Sequence, residues 1–334
     1  MRRVVIRRSI KATAILIFSA LAILFASAYT GAIPNLWGNV VKTADRVVTT
    51  PAPTSTTMKT IPVLLYHGIM SPADRAENSV KLSAFRAQMA YLASKGYRTI
   101  NPAQYTAWTQ GKHPVLPLHP ILITFDCGQT SALLAQPVLR QYGFRPVMYV
   151  VSGFADHSYG DYYLSWDGLN TLQEDGWYMQ FHAGPCGHGY ITADTPYNCD
   201  YDWTFTFTEG AKIGHRYYSQ VFGQPGTEYQ PRVEKDVNIG MAETHAHLLV
   251  SRSALHDTFA VPWSDYGQPQ TSNIPWLARY FATQWAVVFI QDNFPAPAEA
   301  SRLHLRFRIE IDDQTTMGQF APELNSPLFL LTAG

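Results

Sequence analysis

The stretch Ile121-Leu122-Ile123-Thr124-Phe125-Asp126-Cys127-Gly128 decides how the rest of this chain is read. Five residues of largely apolar, β-forming character end in a carboxylate, a thiol and a glycine. A short apolar run closed by a turn signal is the pattern of a strand buried on both faces, as in a parallel sheet. The residues downstream fit that pattern: 131–142 read as a helix closed by Gly143, and Val147-Met148-Tyr149-Val150-Val151 reads as the next strand.

The alternation continues outward. Pro62-Val63-Leu64-Leu65-Tyr66 precedes a helical pattern over residues 83–95 that stops at Gly96. Downstream, residues 166–174 read as a helix, Trp177-Tyr178-Met179-Gln180-Phe181 as a strand, residues 232–249 as a longer helix, and Asp257-Thr258-Phe259-Ala260-Val261 as a strand. Strands alternating with helices predict an α/β fold, a parallel sheet or (β/α) barrel. In a barrel the chemistry gathers at the C-terminal strand ends. The residues just after the apolar runs are His67, Asp126 with Cys127, His182, and Pro262 with Trp263.

A chain of 334 residues that is 46% hydrophobic and 13% aromatic can bury a large core. Lys+Arg and Asp+Glu are equal at 25 each, so no overall field draws it to nucleic acid, and no nucleic-acid partner is expected. The first residues carry Arg2, Arg3, Arg7, Arg8 and Lys11, and an almost uncharged apolar run follows over residues 12–33. That is an export signal, read either as a membrane-spanning anchor or as a peptide cleaved after Ala26-Ser27-Ala28. Both readings put the rest of the chain outside the cytoplasm, as a membrane-anchored or secreted protein. Residues 49–57, rich in Pro, Ser and Thr, read as a stalk. The expected organisation is a signal peptide or anchor over residues 1–35, a stalk over 36–59 and one catalytic-size domain over 60–334.

Three cysteines, Cys127, Cys186 and Cys199, leave an odd one in an oxidising compartment. Cys186 and Cys199 bracket a short loop and could form a disulfide. Cys186 could equally act as a soft ligand, or pair with Cys127 and block the site.

Residues 121–153 resemble the polysaccharide deacetylase family, also called NodB-homology domains or carbohydrate esterase family 4, whose pentapeptide normally reads TFDDG where this chain has Thr124-Phe125-Asp126-Cys127-Gly128. The opening Pro62-Val63-Leu64-Leu65-Tyr66-His67-Gly68-Ile69 and the turn Tyr142-Gly143-Phe144-Arg145-Pro146-Val147 are similar too. The LLYHGI opening and the segment from Phe259 to Gly267 resemble the branch acting on poly-N-acetylglucosamine-type exopolysaccharides. The resemblance implies a distorted TIM-like barrel and hydrolysis of N-acetyl groups on an envelope or exopolysaccharide glycan. It makes Asp126 the catalytic base and places Cys127, His182 and His188 as ligands of a divalent metal. A cysteine there favours zinc over hard ions such as magnesium. His182 and His188 stand six apart on a Gly- and Pro-containing loop, where the family has four.

The general acid has no recognisable motif. His67 and His304 are candidates, whereas His245 and His247 read as exposed helix positions. The arginine many members hold beside the catalytic aspartate is missing from the Pro262-Trp263 segment. Trp166, Trp177, Tyr190 and Trp263 could stack on sugar rings or belong to the core, with Trp263 and Tyr190 the substrate-binding candidates. Two further readings stand beside the hydrolase: a catalytically silent relative that binds glycan or scaffolds an envelope machine, and a hydrolase using Cys127 as nucleophile. The last fits poorly, because a neighbouring carboxylate raises a thiol's pKa.

Overall fold

Eleven strands among the described residues are parallel wherever they pair, so within each sheet the C-terminal ends point the same way. They are β1 (Val63–Tyr66), β2 (Gly68–Met70), β3 (Ser79–Lys81), β4 (Tyr97–Thr99), β5 (His119–Asp126), β6 (Val147–Val151), β7 (Tyr178–Ala183), β8 (Thr258–Ala260), β9 (Val287–Ile290), β10 (Leu305–Phe307) and β11 (Ile309–Glu310). The helices are α1 (Leu82–Ser94), α2 (Pro102–Thr109), α3 (Ala132–Tyr142), α4 (Ser152–His157), α5 (Trp166–Glu174), α6 (Tyr229–His247), α7 (Pro275–Gln284), α8 (Pro297–Arg302) and α9 (Met317–Glu323). The structure is a computed structural model and describes residues 60–70, 79–157, 162–185, 229–264, 275–291, 297–326 and 329.

One sheet runs in the order β11-β1-β5-β6-β7 with β4 beside β5, and a second runs β10-β9-β8. Two seams bend them into a distorted barrel. At the first, a single extended segment belongs to both sheets: β10 pairs with β9, the Arg308 N–H donates to Ile290 O at 2.9 Å, and β11 then pairs with β1. The segment changes sheets at Arg308.

At the second seam, between β7 and β8, side chains on alternate positions of β7 do the joining. Gln180 Oε1 accepts from the Thr258 N–H at 3.3 Å and from its hydroxyl at 3.2 Å, and His182 Nδ1 lies 2.7 Å from Ala260 O. On the outer side the intervening Phe181 stacks on Trp285, which stacks in turn on Phe259. Burying each such ring contributes on the order of 1.5–3 kcal/mol.

The interior alternates with the outside along each strand. Ile123 and Phe125 of β5 join the apolar core under α1 and α3, whereas Thr124 and Asp126 belong to a buried polar network. Local signals fix the helices: Asn101 caps α2 in a reciprocal box with Gln104, Pro102 opens that helix, and Gly143 ends α3 in a left-handed turn.

The expected α/β barrel is therefore present, and β6 and α5 have the expected bounds. His304 lies before β10, at the end of the barrel remote from the strand C-termini, with Nδ1 3.0 Å from Trp285 O. It is thereby excluded as the general acid. Trp166 and Trp177 are core residues: Trp166 stacks on His247, and the Trp177 indole N–H bonds to Gln136 Oε1. Among the described residues no helix is long and apolar enough to cross a membrane, and the run over residues 12–33 lies outside them.

Candidate active site

Register brings the strand ends to one level. Tyr66 pairs with Phe125 and Asp126 with Tyr149, so the residues that follow β1, β5, β6 and β7 meet at the barrel mouth. Asp126 is the last residue of β5, and the chain then turns through Cys127 at φ 70° and Gly128 at φ 73°. Two left-handed residues in succession make the turn tight. Glycine adopts that conformation freely, but a cysteine there is strained.

Both oxygens of the buried Asp126 carboxylate are held by Arg308, Nη1 donating to Oδ1 and Nη2 to Oδ2, each at 2.7 Å. Nη1 also lies 3.2 Å from Thr124 Oγ1. The guanidinium is 0% exposed and sits 5.4 Å from the centroid of the Tyr149 ring. Burial alone would raise the Asp126 pKa, but the charges of Arg308 and His182 and the Arg308 hydrogen bonds bring it down to about 2. Burial likewise opposes charge on Arg308, and the carboxylate more than offsets it. This fork is the geometry that makes arginine, rather than lysine, suited to holding a carboxylate.

Arg308 is the functional residue that sequence reasoning missed. It supplies from the β10–β11 segment what the Pro262-Trp263 segment lacks. The available signal was a charged residue within the alternating run Leu305-Arg306-Phe307-Arg308-Ile309-Glu310.

His182 projects into the mouth from β7. Because Ala260 O can only accept, Nδ1 carries the proton, and Nε2 bears the lone pair 3.8 Å from Asp126 Oδ2. Burial lowers its pKa to about 4, so the ring is neutral. His67, after β1, faces Glu310 of β11, with Nδ1 3.4 Å from Oε1. Cys127 belongs to a small buried apolar cluster with Val151, Phe154 and Ala183, against which Tyr163 packs. Burial first, then the adjacent Asp126, pushes the Cys127 thiol well up, so it is a thiol rather than a thiolate.

The structure thus brings Asp126, Cys127, His182 and His67 together, and Trp263 lies three residues past Ala260 in a left-handed turn, 53% exposed. His188, Tyr190, Cys186 and Cys199 lie outside the described residues. As a metal donor, His182 is well suited: its tautomer is locked by a backbone carbonyl and its Nε2 lone pair faces the site. Cys127 would have to lose its proton on binding, as a thiol does at zinc. Among the described residues no group of three His, Cys, Asp or Glu side chains could by itself hold an ion, so a complete set needs a donor from elsewhere, such as His188.

The arrangement of the strands defines a class: the chain has the NodB-type polysaccharide deacetylase fold. In particular, it is similar to IcaB from Ammonifex degensii (20% identity, TM-score 0.55, covering 81% of this chain and 99% of that one). It is likewise similar to a de-N-acetylase from Aggregatibacter actinomycetemcomitans (16%, TM-score 0.56, 78% and 98%). A third such structure is the BpsB deacetylase domain from Bordetella bronchiseptica (19%, TM-score 0.51, 79% and 98%). No protein-family model and no curated protein sequence matches the chain.

Proposed function

We propose that this protein hydrolyses N-acetyl groups on a cell-envelope or exopolysaccharide glycan outside the cytoplasm, anchored by its N-terminal segment or secreted. The observation that carries the reading is the Asp126–Arg308 clamp at the barrel mouth, with His182 and His67 beside it. A structural carboxylate could sit anywhere in the core, whereas this one ends a strand at the face where barrels of this kind do chemistry.

Asp126 is the general base, its Oδ2 accepting a proton from the attacking water while Arg308 keeps it ionised and fixed in direction. A carboxylate at about pKa 2 is a weak base, so it takes that proton readily only from water more acidic than bulk. His182, with Cys127 and His188, would hold a divalent ion, zinc by the softness of a cysteine donor, which when bound would supply that acidity and polarise the amide carbonyl. His67 is the general acid, protonating the departing amine, with the Glu310 carboxylate 3.4 Å from its Nδ1. Trp263 and Tyr190 are the substrate-contacting aromatics, and Cys186 with Cys199 a disulfide across the loop that carries His188.

Cys127 favours a second reading, a silent relative that binds glycan: a buried thiol in a strained turn stands where the resemblance has a carboxylate ligand. One experiment separates the two. Purified protein is titrated with zinc, and acetate release from a β-linked N-acetylglucosamine pentamer is followed, with Asp126→Asn as control. Release that saturates with zinc and collapses in the variant supports the hydrolase. Glycan binding with no acetate release at any zinc concentration moves the reading to the silent relative.

A further inference from the structure

After the turn that carries Asp126 and Cys127, the chain comes back to that same turn before entering α5. The Leu164 N–H donates to Gly128 O at 2.8 Å and the Thr130 N–H to Tyr162 O at 2.9 Å, and Gln129 and Tyr163 form an antiparallel bridge. Residues 162–164 are therefore an arm fastened to residues 128–130. Alternation along this arm sends neighbouring rings different ways. Tyr163 packs inward, stacked 4.0 Å from Phe154 in the cluster that holds Cys127. Tyr162 meets Tyr163 edge-on at 4.8 Å and remains 46% exposed.

A single exposed aromatic needs no explanation. This one differs in that its backbone is bonded to the catalytic turn and its ring is braced by a second ring stacked on a third. Such a ring presents a flat apolar face and loses little conformational freedom when a ligand covers it. The C–H face of a pyranose matches that surface, and a chain with balanced charge offers no field favouring a polyanion instead.

We propose that Tyr162 is a stacking subsite for a pyranose ring of the N-acetylated glycan, next to the unit whose acetamide lies at Asp126. The assignment rests on the deacetylase reading. It adds a contact at the β5 turn to the one proposed at Trp263, which leaves β8, with β6 and β7 between the two in the barrel.

The test titrates the intact chain with a β-linked N-acetylglucosamine pentamer and with the monosaccharide, reading binding by calorimetry and acetate release in the same samples. Tyr162→Ala is expected to weaken pentamer binding about tenfold and to raise KM more than it lowers kcat, with a smaller effect on the monosaccharide. Tyr162→Gln, which keeps bulk without a ring, repeats that loss, and Tyr162→Phe restores affinity. Pentamer affinity unchanged in both Tyr162→Ala and Tyr162→Gln overturns the subsite, whatever the acetate shows. Binding that depends on Tyr162 without acetate release supports the subsite and overturns the deacetylase reading alone.

Discussion

At the scale of single residues, Cys127 is the position where conformation and chemistry pull together. Its left-handed backbone is one that Asp and Asn adopt more readily than other side chains carrying a Cβ. A carboxylate there would relieve strain and supply a donor already ionised at neutral pH. Cys127→Asp is therefore expected to raise both retained metal after dialysis and the rate of acetate release; a fall in both would remove the residue from the metal site. Asp126→Asn should lower acetate release by roughly a hundred- to ten-thousand-fold. Asp126, Cys127 and His182 were legible in the sequence because each follows an apolar run, and strand polarity in a parallel barrel makes that a direction in space. Arg308 was not, because it stands 182 residues from the carboxylate it grips. His304 was misread for the converse reason: nearness to an apolar residue says nothing about which end of a strand it occupies.

At the scale of elements, the turn leaving β7 is fixed by α6 rather than by its own residues. A Cβ on Gly184 would lie 2.2 Å from Asp236 O, and one on Gly240 would lie 2.5 Å from Gly184 Cα, so helix and strand end touch backbone to backbone. The Gly184 N–H also donates to the buried Asp236 carboxylate at 3.2 Å. Gly184→Ala should then destabilise by about 1–3 kcal/mol through forced separation of the two elements. Gly111, at φ +69° with nothing within 4 Å, is the comparison: Gly111→Ala carries only the backbone strain, about 1 kcal/mol. Urea unfolding of the two variants side by side checks the difference, and equal costs would mean that α6 yields to the added methyl. The sequence announced β1, β5, β6 and β7 through largely apolar runs. It left β4, β10 and β11 unannounced because these short strands owe their pairing to partners far along the chain. The run Val287-Val288-Phe289-Ile290 of β9 was the readable one that the strand-by-strand reading, ending at Val261, did not reach.

At the scale of the whole molecule, the ion pair that holds the Asp126 carboxylate also lies at the seam between the two sheets. Arg308 stands where the last extended segment leaves one sheet for the other, and its guanidinium reaches inward to the end of β5. Removing only one partner strands a buried charge, at a cost of about 3–5 kcal/mol, a large share of the ~5–15 kcal/mol that holds a typical domain folded. Arg308→Met is accordingly expected to lower the unfolding free energy by that amount. Asp126→Asn in the same chain should recover part of it, because the amide no longer carries a charge in need of a partner. A double-mutant cycle in urea reads the coupling directly. If Arg308→Met costs less than about 1 kcal/mol, the seam is held by the backbone bonds of Arg308 and Ile311 and by apolar packing. The clamp would then serve the carboxylate alone. A loss that the double variant partly restores would mean that the interaction fixing the Asp126 carboxylate is also one that stabilises the barrel, so that the proposed base is oriented by the same contact that helps to join the two sheets.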